Sequence, residues 1–459
     1  MYEGNVIEDV VTIVQEKLAV PLLIRWDVSA RLRNDVNYPA RINNVERGLR
    51  ESGPQRKDIE NFSDNPTETE IEEVKQELFK EYADVFTEGE STLKPMACEP
   101  SRIELIPEAN PIRVSTARKI AYAYRDETKK EIEKMVQQGV IVPVGDVATD
   151  WCHPMVVVEK QNGGIRICVD LTKLNKYVKR PTHPGPSPQE VVCDIPPNQK
   201  YFSTLDAVKG YWQIPLEEES QPLTTFITPW GRYMFTRAPM GLSSTGDKYN
   251  LLMDAAFDGI PNMKKLIDDI LKYDETFKVH VQEMREVLER CRKHGISISK
   301  KKFIFAKTNV KYVGFKVGVN GIEADPDKLM AIRNFPSPTN LTELRSFMGL
   351  VNQLTGHSKK LIQAALPLRP LLKTKKEFQW MEEHQNAMEE VKKLMVQFPI
   401  RVHFDPTLPT LLETDAARKK GLGYCLMQLH DDGYKMVEAG SRWLTPAETN
   451  YGMTSLELM

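Results

Sequence analysis

The 459-residue chain is 41% hydrophobic and 27% charged, with 62 basic residues against 64 acidic ones and a formal net charge of -2. That composition excludes large-scale disorder, the length allows about three domains of roughly 150 residues, and no apolar run approaches the roughly 20 residues of a membrane helix. A balance so close to neutral also excludes a surface that is basic all over, so any face that grips phosphates must be local.

The amino terminus, Met-Tyr-Glu-Gly-Asn-Val-Ile-Glu-Asp, has no basic segment leading into an apolar one, and no address can be read from it. An intracellular protein is expected. The cysteines at 98, 152, 168, 193, 291 and 425 include no Cys-x-x-Cys pair and no accompanying histidine cluster. They predict small core residues in a reducing compartment rather than a zinc site or a disulfide framework.

Residues 1–60 carry one apolar stretch, 18–24, followed by a mixed polar segment. From Asn65-Pro66 the spacing of Ile71, Val74, Leu78, Tyr82 and Val85 predicts a helix, and a second is expected over 124–138 with Gly139 as its stop. Residues 155–158 and 165–169 flank Asn162-Gly163-Gly164 and predict a β-hairpin. The tract from Arg180 to Pro186 is a loop ending in Ser187-Pro188-Gln189-Glu190, which is helix-start chemistry. Strands and helices mix over 201–317, with 277–292 the clearest helix through Val281, Met284, Val287, Leu288 and Cys291. Beyond Asp325 short helices are broken by Pro336 and Pro338, and Asn340-Leu-Thr-Glu343 opens another through Leu344, Phe347, Met348 and Val351. Strands return at 411–414, 421–429 and 435–441, and a last helix begins near Met459. The basic clusters (Arg290, Arg292, Lys293; Lys300, Lys301, Lys302; Lys359, Lys360, Arg369, Lys373, Lys375, Lys376) are, on charge alone, solvated faces.

The segment richest in chemistry is Lys265-Leu-Ile-Asp-Asp-Ile-Leu271, where Asp268 and Asp269 interrupt an apolar run. Two carboxylates about 4 Å apart repel by roughly 4 kcal/mol at an effective dielectric near 20, and a divalent cation removes that cost. A turn with two exposed aspartates satisfies the same pattern. Asp206 ends the strand-like Tyr201-Phe-Ser-Thr-Leu and is followed by Gly210 and Tyr211 in a tight approach, so it can supply a third carboxylate. Two ions roughly 3.5–4 Å apart could then activate a hydroxyl and stabilise a departing pyrophosphate. Periodicity and charge do not place Asp206 beside Asp268, and these residues alone give a candidate metal site.

In order along the chain, Leu205-Asp206-Ala207 with Gly210-Tyr211-Trp212-Gln213-Ile214-Pro215, Thr228-Pro-Trp-Gly-Arg-Tyr-Met-Phe235, Ala238-Pro239-Met240-Gly241-Leu242 and Leu266-Ile-Asp-Asp269 resemble the motifs of gypsy-type reverse transcriptases. Val158-Glu-Lys160, Arg166-Ile-Cys-Val-Asp170 and Lys173-Leu-Asn175 are similar to that family's fingers, Val310-Lys-Tyr-Val-Gly-Phe315 to its primer grip, and Glu343 to Leu350 to its thumb. The resemblance covers about residues 65–459. It implies an α+β right hand of fingers, palm and thumb followed by a partial RNase H-like α/β domain. The expected division is 1–60 a retropepsin tail and linker, 61–140 a helical leader, 141–320 fingers and palm, 321–376 thumb, and 377–459 an incomplete RNase H-like part.

The implied activity is an RNA-directed DNA polymerase acting on an RNA and DNA primer–template with deoxynucleoside triphosphates, and no membrane. The alternative is a catalytically dead retroelement remnant that only binds nucleic acid; a metal hydrolase is a more distant one. By resemblance Asp206, Asp268 and Asp269 bind two Mg2+ ions, with Mn2+ able to substitute. Lys160 and Arg166 meet the triphosphate, Tyr211 clashes with a 2′-hydroxyl, and Met240 lines the pocket. Tyr312, Val313 and Gly314 form the primer grip. Lys302 stands near the pyrophosphate or is one of three surface lysines. Two departures stand out: Leu266 replaces the usual Tyr, which keeps an apolar contact with the primer end and loses a hydroxyl, and Ser243-Ser-Thr-Gly-Asp247 replaces an Asn-Ala-Pro pattern.

The flanks carry weaker likenesses. Residues 18–25 are similar to a retropepsin's closing segment with no Asp-Thr-Gly before them, so protease activity is not expected. Asp415 and Glu457 match the first two RNase H carboxylates. That site needs two more acidic ligands further on, and with the chain ending at Met459 RNase H activity is expected to be lost.

Overall fold

The computed structural model describes residues 10–11, 62–63, 65–88, 93–160, 163–352, 359–373, 378–396, 400–417, 421–442, 444–445 and 447–457. The retropepsin-like stretch 18–25 lies outside them. The chain divides into two compact units, one formed by Phe62–Ser187 with Lys200–Lys307, the other by Met1–Asn61, Pro188–Gln199 and Thr308–Met459.

In the first unit the leading helix is Glu68–Glu81, opened by a capping box in which Glu70 N–H donates to Thr67 Oγ1 and Thr67 N–H to Glu70 Oε2. The apolar stripe outlives the helix: Tyr82, Val85 and Phe86 are buried after it ends. The second predicted helix is Arg125–Gln137, and Gly139 closes it at φ +66, a conformation that a side chain would strain. The hairpin around Gly163 is formed by His153–Glu159 and Ile165–Val169. It is the edge of a five-stranded sheet that continues through Phe226–Thr228, Gly231–Phe235 and Ile141–Pro143.

A second sheet has the order Ile304–Lys307, Tyr201–Asp206, Asp269–Asp274, Met263–Leu266, antiparallel throughout. In the same unit lies helix Phe277–His294, capped by Thr276 at one end and by Gly295 at φ +67 at the other. Its predicted apolar face is buried through Val281, Met284, Val287, Leu288 and Cys291. Each fully buried aliphatic side chain of this kind contributes roughly 1.5–3 kcal/mol. The basic residues near its end are engaged rather than free: Arg292 Nε and Nη2 donate to Asp84 at 2.8 and 2.7 Å, and Arg290 Nε donates to Glu286 at 3.1 Å.

Inside this sheet runs a fully buried polar chain. Lys272 Nζ donates to Asp274 Oδ1 and Oδ2 at 2.6 and 2.7 Å. His280 Nδ1 lies 2.7 Å from Asp274 Oδ2, and its Nε2 lies 2.6 Å from Ser203 Oγ. Ser203 Oγ also accepts from Ala306 N–H at 2.8 Å. Burial holds His280 below its ordinary pKa, so the ring is neutral; Nδ1 then donates to Asp274 and Nε2 accepts from Ser203. Ala306 sits at φ +48, where the register between Ile304 and Lys307 shifts, which aims its N–H at Ser203.

The second unit carries a three-stranded meander, Asn309–Tyr312, Phe315–Gly318 and Gly321–Ala324. Helices Pro326–Arg333, Leu341–Asn352 and Glu382–Val396 follow, among shorter ones. The start of Leu341–Asn352 is held as the sequence predicts, with Glu343 N–H donating to Asn340 Oδ1 at 3.0 Å. The later strands are Thr410–Ala417, Gly421–His430 and Gly433–Arg442, with helix Met453–Glu457 packed on the first of them. Helix Pro188–Cys193, predicted from its cap, belongs to this unit. The expected mixture of α and β structure is therefore present, and among the described residues no helix is long and apolar enough to cross a membrane.

Candidate active site

The site is built where strand Tyr201–Asp206 meets the turn of the hairpin Met263–Leu266/Asp269–Asp274. Antiparallel pairing sets Asp269 directly opposite Asp206, and Leu266 opposite Asp269, so Ile267 and Asp268 form a two-residue turn. Ala207 N–H donates to the Asp268 carbonyl at 2.9 Å and pins that turn to the end of the strand. Ile267 adopts φ +54, which is costly for a β-branched side chain and marks a backbone held by its surroundings. Three carboxylates 62 and 63 positions apart in sequence thus share one end of one sheet (206 to 268 and 269).

After Asp206 the chain doubles back sharply. Lys209 takes φ +49, its Nζ lies 4.5 Å over the Trp212 ring, and Gly210 opens the short helix Gly210–Gln213. Gln213 is wholly buried; its Nε2 donates to Val208 O at 2.8 Å and Ser297 O at 3.1 Å, while Ser297 N–H donates back to Oε1 at 2.8 Å. Gly210 is required for a steric reason: a Cβ there would overlap Asp268 Oδ1 and lie 2.6 Å from Tyr249 Oη. The tight approach expected from the sequence is therefore an approach to Asp268 itself.

Electrostatics at this end favour a cation. Burial pushes the Asp268 carboxyl from the ordinary 3.8 up to about 6, with Asp206 and Asp269 adding to the rise and Tyr249 and Lys302 opposing it. Asp269, though exposed, is raised too, by desolvation and then by Asp206. Lys302 Nζ donates to Asp206 Oδ2 at 2.8 Å from a side chain that is 66% exposed, so it is a surface lysine that also reaches the carboxylates. Asp268 Oδ1 is buried without a hydrogen bond of ordinary geometry. The donor set, three hard carboxylate oxygens with an unsatisfied buried atom among them, fits Mg2+ or Mn2+. Among the described residues no three ligating side chains form a preformed cage.

The shift has a sign that can be measured. Because Asp268 has a higher pKa folded than unfolded, the fold binds the extra proton between 3.8 and about 6, and ionisation weakens it as pH rises through that window. Buried neutral His153 and His280 slope the opposite way below about 6.5, so the clean readout is a difference. In chelator, wild type is expected to lose melting temperature relative to Asp268→Asn between about pH 4 and about pH 6, and added Mg2+ should cancel the loss. Parallel curves for the two proteins would contradict it.

Of the other predicted residues, Tyr211 is half-buried, with its ring 5.4 Å from Tyr249 at an interplanar angle of 74°. Lys160 and Arg166 are exposed on the hairpin, where Arg166 pairs with Val158 and Lys160 N–H donates to Gly164 O at 2.9 Å. Met240 is 41% exposed in a loop clamped by Asn175, whose Nδ2 donates to Gly241 O at 2.8 Å and whose Oδ1 accepts from Ser243 N–H at 2.9 Å. The unusual Ser243–Asp247 segment has a use: buried Asp247 accepts from Arg180 Nε at 2.5 Å and Nη2 at 3.3 Å, fastening the loop before Pro188.

Tyr312, Val313 and Gly314 belong to the other compact unit, where Val313 at φ +43 and Gly314 at φ +87 make the two-residue turn between paired Tyr312 and Phe315. Asp415 lies exposed on strand Thr410–Ala417, in that same unit, and Glu457 ends helix Met453–Glu457 with its side chain outside the described residues. Sequence reasoning missed Tyr249 and Asn175 as site residues. Tyr249 shares the stripe of Met253 and Ala256 and reads as core, and Asn175 stands in the sequence only as the end of a fingers-like motif, with no role of its own.

Residues 158–317 match the family described as reverse transcriptase (RNA-dependent DNA polymerase), and residues 380–459 match the RNase H-like domain found in reverse transcriptase. Among curated relatives, the Transposon Tf2-3 polyprotein of Schizosaccharomyces pombe is 26% identical over 388 residues, covering 83% of this chain and 29% of its own length. The Tf2-7 polyprotein of the same organism gives the same figures. The chain thus spans less than a third of the relatives it matches. Among solved structures, the foamy viral protease-reverse transcriptase in complex with RNA/DNA hybrid has a TM-score of 0.75 at 21% identity, over 86% of this chain and 53% of that one. The form with double-stranded DNA named dRH also gives 0.75 at 21%, over 86% and 68%. These two structures establish the polymerase fold. The chain therefore carries a reverse-transcriptase domain followed by an RNase H-like domain, in the order 158–317 and 380–459, and is similar over most of its length to retrotransposon polyproteins.

Proposed function

We propose that this chain is itself an RNA-directed DNA polymerase, adding deoxynucleotides to a primer by nucleotidyl transfer with two divalent ions, Mg2+ or in its place Mn2+. The observation that carries the reading is the pairing of Asp206 with Asp269 and the placing of Asp268 in the adjoining turn. Bound ions would supply charge neutralisation at the attacking hydroxyl and the leaving pyrophosphate. Asp206, Asp268 and Asp269 would hold them, and Lys302 supplies a further positive charge at Asp206.

The chain's other residues orient the reactants. Tyr211, set five positions after Asp206 and backed by Tyr249, would meet the nucleotide sugar and exclude a 2′-hydroxyl. Lys160, just past the first strand of the hairpin, and Arg166, on its second strand, are both exposed and would contact the triphosphate, Arg166 with a planar fork suited to phosphate oxygens. Met240, held by the Asn175 clamp, would line the pocket, and Tyr312, Val313 and Gly314 would hold the primer. An RNA/DNA hybrid and double-stranded DNA are the nucleic acids in the structural neighbours, which supports a primer–template as partner.

The test is template-directed incorporation by the full chain on an RNA template with a DNA primer. Extension in Mg2+ that stops with chelator is expected. Tyr211→Ala should lower discrimination against ribonucleotides by at least about tenfold while extension with deoxynucleotides persists, since one lost steric clash is worth at least about 1.4 kcal/mol. Binding of primer–template without extension would favour the remnant reading instead.

A further inference from the structure

Tyr249 lies in the middle of helix Thr245–Ala256 and is 1% exposed. Its ring meets Tyr211 edge to face at 5.4 Å. Its hydroxyl oxygen is buried, and so is Asp268 Oδ1; neither has a hydrogen bond of ordinary geometry. These are also the two atoms that crowd the missing Cβ of Gly210, so they face each other across that step. Packing alone would be served by Phe, because a buried hydroxyl is tolerated only with a partner. Burial and the Asp268 charge keep the phenol protonated, which leaves it a donor and the carboxylate oxygen its acceptor.

We propose that Tyr249 is a positioning residue for the active site, its hydroxyl donating to Asp268 Oδ1 to fix the carboxylate plane and its ring backing Tyr211. A hydrogen bond to one oxygen of a ligating carboxylate orients the group and leaves the other oxygen for an ion. The edge-to-face ring contact limits how far Tyr211 can tilt away from a sugar. One side chain therefore links the ion seat to sugar selection. The inference rests on the polymerase reading for its second half only.

The test uses the full chain and two variants: Tyr249→Phe removes the oxygen, and Tyr249→Leu removes the ring. Mn2+ binding without nucleic acid or nucleotide, followed by electron paramagnetic resonance of the free ion, reads the carboxylates without turnover. Tyr249→Phe is expected to weaken Mn2+ by about tenfold or more with its melting temperature preserved. Its discrimination between deoxy- and ribonucleotides should match wild type, while that of Tyr249→Leu falls at least about tenfold. Wild-type Mn2+ affinity in Tyr249→Phe would overturn the hydroxyl's role, and wild-type discrimination in Tyr249→Leu would overturn the ring's. If wild type extends no primer but binds Mn2+ through Asp268, and Tyr249→Phe weakens that binding, the polymerase reading fails and the hydroxyl's role stands.

Discussion

Asp274→Ala is expected to cost the unit that carries the carboxylates roughly 3–5 kcal/mol, a large part of the 5–15 kcal/mol typical of a folded domain. The reason is the polar chain beneath the active site. Asp274 and Lys272 are both 0% exposed, and removing the carboxylate strands a buried ammonium while stripping His280 of its acceptor. The attraction within such a pair roughly offsets the cost of desolvating it, so the pair itself adds little, but breaking it is expensive. That asymmetry sets the control. Lys272→Met with Asp274→Asn removes both charges and keeps an acceptor for His280, and should cost less than half as much as the single change. Urea unfolding read from tryptophan fluorescence measures both; a single-variant loss below about 1 kcal/mol would mean that water reaches the pair.

Gly210→Ala is expected to lower kcat/KM for primer extension by at least about 100-fold, because displacement of a catalytic group by about 1 Å suffices for that. The new methyl would overlap Asp268 Oδ1 and press on Tyr249 Oη, and both are packed too tightly to yield without moving the turn. Stability should fall less, by roughly 1–3 kcal/mol, as for other overpacked sites. Gly246→Ala is the matched comparison: its Cβ would lie 3.5 Å from the Tyr211 hydroxyl, an ordinary contact, and activity should stay within about threefold. Equal activity in the two variants would show that Gly210 is not placed by its approach to Asp268.

What could be read from the sequence follows from how local each feature is. The helix over 277–294 and the hairpin around Gly163 are written in periodicity and turn chemistry within a dozen or so residues, and both formed as expected. Asp268 and Asp269 drew attention because two adjacent carboxylates in an apolar run need a reason. Their meeting with Asp206 is a matter of strand register across more than sixty residues, and no local pattern encodes it. The resemblance to a family supplied that grouping; the residues alone did not.

The polar chain stayed hidden for the opposite reason. Lys272 and Asp274 look like the solvent-facing positions of a half-exposed strand, yet the sheet is covered where they point. Arg290 and Arg292, grouped as a basic face, are tied into ion pairs that no charge count reveals. Ser243 to Asp247 departed from the expected motif without an evident consequence. The structure supplies one, since Asp247 is the buried acceptor that fastens Arg180. Tyr249 passed for core because its ring is core; only the position of its oxygen beside Asp268 gives it a second role.

The most direct measurement is single-nucleotide addition to a DNA primer on an RNA template, in Mg2+, by wild type and by Asp268→Asn, with melting curves for both. Wild type is expected to extend the primer and the variant to lose roughly 1,000-fold or more, the several kcal/mol that ion-based stabilisation supplies, with the fold intact. An Asp268→Asn protein that folds and extends as wild type does would contradict that expectation, as would a folded wild type that adds nothing in Mg2+ or Mn2+.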